Sequence, residues 1–282
     1  MEYYIVIPAH NEALFLEDTL ASITNQTLAP KKVIIVNDNS TDDTELIIDR
    51  YTANVLFIKV NTSSSDEHLP GSKVIHAFSK GLALLDEQYD FIVKLDADVI
   101  LPKNYFEEIT ALFKSDPKIG IAGGFIYEKD SLGAWKLNHP MHKKHVRGAI
   151  KAYSKACFKA IGGLKCAMGW DTVDELLAQY HGFTISTKKT LQVKHLRPTG
   201  DRYNKKAKLL QGKAMFTMRY GVIITCIASL KMAWKQGKVA AFFDNMKGYF
   251  RAKKTKEPFL VSSLEGQFIR ALRWKGIKKQ LF

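Results

Sequence analysis

Two kinds of segment alternate over the first 125 residues, and this alternation limits the fold more than any other feature. Runs rich in Val and Ile occupy 3–8, 32–37, 55–60, 91–95 and 119–125. Between them, 12–24, 41–51, 73–85 and 103–113 place apolar residues at helical spacing, for example Leu16, Leu20 and Ile23, then Ala77, Leu84 and Leu85. The strand runs are almost continuously apolar, as expected for strands buried on both faces. Repeated strand–helix units with such strands predict an α/β fold, a mainly parallel sheet flanked by helices. Ser40 and Thr41 are N-cap candidates for the second helix, with Asp42 and Asp43 in its first turn. In a sheet of this kind the ligand crevice lies at the carboxyl ends of the strands. Three polar clusters fall there: Ala9-His10-Asn11-Glu12, Asp38-Asn39-Ser40 and Asp96-Ala97-Asp98.

The third cluster has the sharpest chemistry. On an extended chain, side chains two residues apart point to the same side, so Asp96 and Asp98 can face one point at a strand end. Two bare carboxylates so close repel unless a cation or a proton joins them. Oxygen ligands suit hard ions such as Mg²⁺ or Mn²⁺, which often share their shell with substrate phosphates. The alternative for this pair alone is a polar turn that ends a strand.

Beyond residue 125 the patterning weakens. Residues 126–170 read as irregular and rich in Gly, Lys and His; a helix is predicted over 171–181, with strands over 183–186 and around 191–195. His139, His142 and His145 lack Cys or acidic neighbours and read as an exposed acceptor-side loop rather than a zinc site. From residue 205 the chain reads as helical, basic and interspersed with aromatics. Residues 1–200 carry 23 Lys and Arg against 24 Asp and Glu, whereas residues 201–282 carry 19 against 4. The expected organisation is a catalytic domain over 1–200 and a basic amphipathic helical tail over 201–282. Such a tail suits an anionic membrane surface, although helices that simply pack on the body and expose lysines are the alternative. Its most apolar stretch, 220–230, is far shorter than the ~20 residues of a spanning helix. Three widely spaced cysteines, Cys157, Cys166 and Cys226, argue for a reducing compartment. The N-terminus lacks the residue order of a signal peptide. A cytoplasmic protein, peripheral on the inner face of the cell membrane, is the expectation.

Three motifs, taken in order and spacing, resemble the family 2 glycosyltransferases of GT-A fold: Val6-Ile7-Pro8-Ala9-His10-Asn11-Glu12, Val36-Asn37-Asp38-Asn39-Ser40-Thr41-Asp42 and Lys94-Leu95-Asp96-Ala97-Asp98. The resemblance covers about residues 3–200. It implies an inverting transfer from a nucleotide-diphosphate sugar of UDP or GDP type to a glycan or lipid-linked acceptor, in cell-surface polysaccharide synthesis. Pro8, Ala9, Asn11 and Glu12 would line the base and ribose pocket, and Asp38 would hold the base or ribose. Lys73 would stand near the diphosphate, although Ser79 occupies a place where the family often has Asn. The resemblance makes Asp98 the direct ligand of Mn²⁺ or Mg²⁺. Asp96 would contact the ribose or the metal, and His195, from a later strand, would be a further ligand. Arg197, a planar cation, suits phosphate oxygens. The family's catalytic base maps to Asp171 by its distance to Gly182, with Trp170 where the family has Glu.

Plainer readings stand beside these. Asn11 and Glu12 can serve a helix N-terminus, Asp38 a turn, and Lys73 a solvated helix start. His195 can bond only to backbone, and Asp171 can cap its helix. Asp174 and Glu175, on the same helical face, are reserve bases or solvated residues. A competing function is a non-catalytic nucleic-acid- or membrane-associated binding protein on a sugar-nucleotide scaffold. A scaffold has no need to keep Asp38, Asp96, Asp98 and Asp171 together, so no nucleic-acid partner is expected. A nucleotidyltransferase would want a Gly-rich, Arg-bearing phosphate loop near the N-terminus, and the sequence has none.

Overall fold

A computed structural model describes residues 1–62, 71–137, 145–197 and 207–281. His139 and His142 lie outside the described residues. The chain forms two compact units. The first comprises the described residues of Met1–Leu69, Lys73–Leu164 and His181–Thr199; the second comprises those of Pro70–Ser72, Lys165–Tyr180 and Gly200–Phe282.

The first unit opens with the expected alternation: β1 (Tyr3–Ala9), α1 (Leu16–Thr24), β2 (Lys32–Asp38), α2 (Thr44–Thr52), β3 (Phe57–Thr62), α3 (Ser72–Leu82) and β4 (Phe91–Leu95). Two residues of β5 (Val99–Ile100) follow, then α4 (Tyr105–Ser115), β6 (Ile119–Lys129), β7 (Trp135–Leu137), β8 (Ile150–Ser154), α5 (Lys155–Ala160) and, after an excursion, β9 (Thr184–His195). The sheet order is β3-β2-β1-β4-β8-β6-β9-β5, with β7 paired to β6. β3, β2, β1 and β4 are mutually parallel. All five residues of β4 are buried, and Tyr3 stacks on Phe91 with ring centroids 4.8 Å apart. Such aromatic pairs add to the apolar burial that holds the central strands.

Several expectations shift. α1 starts at Leu16 rather than Glu12 because the chain after β1 is tied to the next loop. The Glu12 amide donates to Thr44 Oγ1 at 2.7 Å, and the Ala13 amide donates to Asp42 at 3.2 Å. Ser40 and Thr41 do not cap α2, which begins at Thr44. Their groups bond Asn11 instead: the Asn11 amide donates to Ser40 Oγ and the Thr41 amide to Asn11 Oδ1. The stretch read as irregular contains β7, β8 and α5, and β6 runs four residues past its expected end. β8 inserts antiparallel between β4 and β6, so this half of the sheet is mixed. The two strands predicted at 183–186 and 191–195 are one strand, β9, parallel to β6.

The second unit is helical: α6 (Trp170–Tyr180), α7 (Ala207–Thr217), α8 (Val222–Gln236), α9 (Val239–Lys254) and α10 (Ser263–Leu281). α7 and α9 cross at Gly212 and Gly248. A Cβ on Gly212 would sit 1.8 Å from the Asn245 carbonyl oxygen, and one on Gly248 would sit 2.1 Å from that of Leu209. Only glycine permits so close a backbone approach. The Arg219 guanidinium lies 3.6 Å from the centre of the Phe259 ring. Among the described residues, no helix is long and apolar enough to cross a membrane.

Candidate functional site

The polar clusters predicted at strand ends lie at the carboxyl ends of the neighbouring strands β2, β1 and β4. Pro8 and Ala9 finish β1. Asn11 and Asn39, in the turns after β1 and β2, take left-handed conformations with φ of 54° and 56°. Asparagine tolerates this region better than most residues because its short side chain bonds locally. Asp38 is buried at the end of β2. Its carboxylate accepts a hydrogen bond from Thr62 Oγ1 at 2.6 Å, and His10 Nδ1 lies 2.7 Å from its carbonyl oxygen.

Asp96 and Asp98 follow β4, with Asp98 buried and Asp96 half-buried. Lys94, fully buried on β4, bonds through Nζ to Asp96 Oδ1 and donates to the Gly148 carbonyl at 3.1 Å. Just past Asp98, the short β5 pairs antiparallel with the end of β9, with Val99 opposite His195, and the Leu196 amide donates to the Asp98 carbonyl at 2.8 Å. This register sets His195 Nε2 3.3 Å from Asp98 Oδ1. One ligand atom from each of Asp96, Asp98 and His195 falls within 4.8 Å of the other two. Two hard oxygens and an imidazole nitrogen in so small a volume fit a divalent cation such as Mn²⁺ or Mg²⁺.

The other face of the His195 ring meets a residue that the sequence reading missed. Glu128, on β6, stands opposite His195 in the β6–β9 register, and its Oε1 lies 3.1 Å from His195 Nδ1. A carboxylate on one imidazole nitrogen fixes the tautomer and turns the other nitrogen toward a metal. The only signal for Glu128 was its position on a strand that ran longer than its apolar core. Arg197 completes the group. Its guanidinium grips Glu12 with two bonds of 2.8 and 2.6 Å, approaches Asp98 at 3.7 Å, and rests over Phe15 at 5.2 Å. Glu12 and Arg197, expected to serve the ribose and the phosphates, are thus engaged with each other.

The electrostatics follow from this packing. Burial disfavours the Asp98 carboxylate, but hydrogen bonding and charge from His195, with Arg197 and Lys94, outweigh it and hold its pKa below the usual range. Burial also disfavours the His195 imidazolium, yet Asp98, Asp96 and Glu128 outweigh it and raise the pKa. Burial lowers and Glu12, Asp98 and Asp96 raise that of Arg197, with a net rise.

Lys73 is the second residue of α3, half-buried. Asp171 belongs to the second unit, in the first turn of α6. It does not cap that helix: the Val173 amide bonds the Gly169 carbonyl, so Gly169 holds the cap position. Asp174 and Glu175 are buried, not solvated.

Residues 4–176 match the family model described as glycosyl transferase family 2. The chain belongs to this family. Relatives among curated proteins include the poly-β-1,6-N-acetyl-D-glucosamine synthase of Staphylococcus aureus strain COL. It is 29% identical over 119 residues, which is 42% of this chain and 27% of that protein. The O-antigen chain rhamnosyltransferase WbaN of Salmonella anatum is 27% identical over 182 residues, 57% of this chain and 55% of that protein. The chain thus matches between about a quarter and a half of the length of these relatives. Among solved structures, S. aureus TarS 1–349 in complex with UDP-GlcNAc has a TM-score of 0.59 at 16% identity, covering 75% of this chain and 65% of that one. The mannosyltransferase PcManGT from Pyrobaculum calidifontis, in complex with GDP-Man and Mn²⁺, has a TM-score of 0.60 at 15% identity, covering 100% and 81%. At these identities the likeness is one of fold, and it agrees with the GT-A α/β architecture expected from the sequence.

Proposed function

We propose that the protein is an inverting glycosyltransferase that moves a sugar from a UDP- or GDP-sugar to a glycan or lipid-linked acceptor in cell-surface polysaccharide synthesis. The observation that carries this reading is the cluster of Asp96, Asp98 and His195 at the carboxyl end of β4, inside a family 2 fold. In support, relatives are named as polysaccharide synthase and rhamnosyltransferase, and the similar structures hold UDP-GlcNAc or GDP-Man with Mn²⁺.

Asp98, Asp96 and His195 would hold the divalent cation, with Glu128 orienting His195. When bound there, the cation supplies positive charge against which a departing diphosphate is stabilised. Asp38, beside Pro8, Ala9 and Asn11, binds the base and ribose. Arg197 exchanges its fork on Glu12 for donor phosphate oxygens, to which a guanidinium is geometrically matched, and Lys73 adds a second cation near the diphosphate. Asp171 takes the proton from the acceptor hydroxyl as that oxygen attacks the anomeric carbon. One base with direct displacement inverts the anomeric centre and calls for no covalent nucleophile. The basic C-terminal region, residues 201–282, keeps the enzyme at the anionic inner face of the cell membrane, near such an acceptor.

The test is calorimetry with a panel of UDP- and GDP-sugars, with and without Mn²⁺ or Mg²⁺. Metal-dependent binding of at least one donor is expected; binding of none overturns the reading. Asp171→Asn should abolish transfer and leave donor binding intact, whereas lost donor binding would remove Asp171 from the base role.

A further inference from the structure

The hairpin of α8 and α9 is built inside out. α8 buries Ile224, Thr225, Ser229 and Ala233, and α9 buries Asn245, Gly248, Tyr249 and Ala252. These buried faces are mostly small or polar. Ile224 and Tyr249 are the large apolar exceptions; several other large apolar side chains of the pair face outward. On α8, the exposed Ile223, Leu230 and Trp234 and the half-buried Ile227 follow a spacing of four, three and four residues, the stripe of one helical face. Ile223 is 64% exposed and Trp234 is 87% exposed. On α9, the exposed Val239, Phe243 and Phe250 and the half-buried Met246 repeat the same spacing, with Val239 72% and Phe243 63% exposed. Every exposed Trp and Phe among the described residues lies in the second unit. Singly exposed apolar residues are ordinary, but aligned stripes of this size mark an interaction surface.

Charge selects the occupant. Between Val222 and Lys254 the hairpin carries seven cations, Lys231, Lys235, Lys238, Lys247, Arg251, Lys253 and Lys254, and one acid, Asp244. A second copy would bring like charges face to face, and nucleic acid would leave the aliphatic centres of the stripes without a partner. Apolar stripes bordered by cations match the acyl boundary and the headgroups of an anionic bilayer. Neither helix, at 15 and 16 residues, is long enough to span a bilayer, so the contact such a surface allows is one in the plane of the interface.

We infer that the outward faces of α8 and α9 are a docking surface for anionic lipid, with Trp234 and Phe243 inserting and Lys235 and Lys247 meeting headgroups. The inference rests on the membrane part of the proposed function and names the residues that perform it. It is tested on the full chain by flotation with vesicles of phosphatidylglycerol and phosphatidylcholine, and with phosphatidylcholine alone. The chain should float with the mixed vesicles and far less with the neutral ones. Trp234→Ser with Phe243→Ser, and separately Lys235→Glu with Lys247→Glu, should each lower the partition coefficient at least about tenfold, since each basic residue near such a surface contributes on the order of 1 kcal/mol. These side chains are exposed, and donor binding measured without vesicles should be unchanged in both variants. Unchanged flotation of either variant, equal flotation with neutral vesicles, or a wild-type dimer in sedimentation that the substitutions dissociate would overturn the docking surface. Loss of donor binding in the wild type would instead overturn the glycosyltransferase reading and leave the docking surface standing.

Discussion

The fork between Arg197 and Glu12 permits a test that separates fold from function. Both side chains are largely withdrawn from water, 21% and 12% exposed. Arg197→Met keeps most of the volume and removes the charge. Glu12 then loses the guanidinium that grips it, and removing one partner of a buried pair costs about 3–5 kcal/mol. The guanidinium is still partly hydrated, which trims the expected loss to about 2–3 kcal/mol. With a denaturant slope of about 2–3 kcal/mol per molar urea, the unfolding midpoint of the first unit should fall by about 1 M. Adding Glu12→Gln removes the stranded charge, so the double variant should recover most of that loss. Donor affinity behaves differently if Arg197 meets phosphate: it should stay low in the double variant, by about tenfold or more, because a charge-assisted bidentate contact is absent in both. The assays are urea titration followed by circular dichroism and calorimetry with nucleotide sugar. If the single variant is as stable as wild type, the pair is not desolvated as argued. If the double variant is no more stable than the single, the stranded carboxylate is not the source of the loss. If donor affinity returns with stability, Arg197 has no phosphate role.

Two further outcomes follow from the same site. His195 has a raised pKa, so its protonated form contributes stability that is full below its unfolded value of 6.5 and is lost as pH rises through the elevated folded value. Cation affinity should therefore climb as pH rises above 6.5 and the proton leaves; calorimetric Mn²⁺ titrations that show no such slope, or the same slope in His195→Gln, would remove His195 from the ligand set. Glu128→Gln should weaken Mn²⁺ binding by about 10–100-fold with little change in folding, the usual cost of losing a residue that orients a metal-bound imidazole; an unchanged affinity would refute the orienting role.

How much of this was legible in the sequence depends on whether local pattern or distant pairing fixed each element. β1, β2 and β4 were readable because strands buried on both faces must be apolar throughout. β8 was not, because Lys151 interrupts its run, and yet Lys151 is fully buried opposite Lys94. A buried lysine on a strand is intelligible only once its neighbours are known. The caps of α2 were misread because Ser40 and Thr41 bond Asn11, which comes from another loop. At the site, the spacing of Asp96 and Asp98 pointed to a shared cation beside the alternative of a polar turn, and the family resemblance pointed to His195 as a further ligand. The orienting carboxylate of Glu128 depends on the register between β6 and β9, and the fork of Arg197 on Glu12 joins residues 185 positions apart. Neither relation leaves a local trace.

The order of the sheet has a consequence for the newborn chain. β9, which supplies His195 and leads into Arg197, is the last strand of the first unit to be synthesised, 97 residues after Asp98. At a translation rate of about 5–20 residues per second, Asp98 waits roughly 5–20 s for both cations. Through that interval the acidic end of β4 emerges with only Lys94 beside it, and neither β5 nor Glu128 has its partner. A nascent chain can thus assemble its parallel half early, yet the cluster of Asp96, Asp98 and His195 is complete only when the ribosome has passed β9.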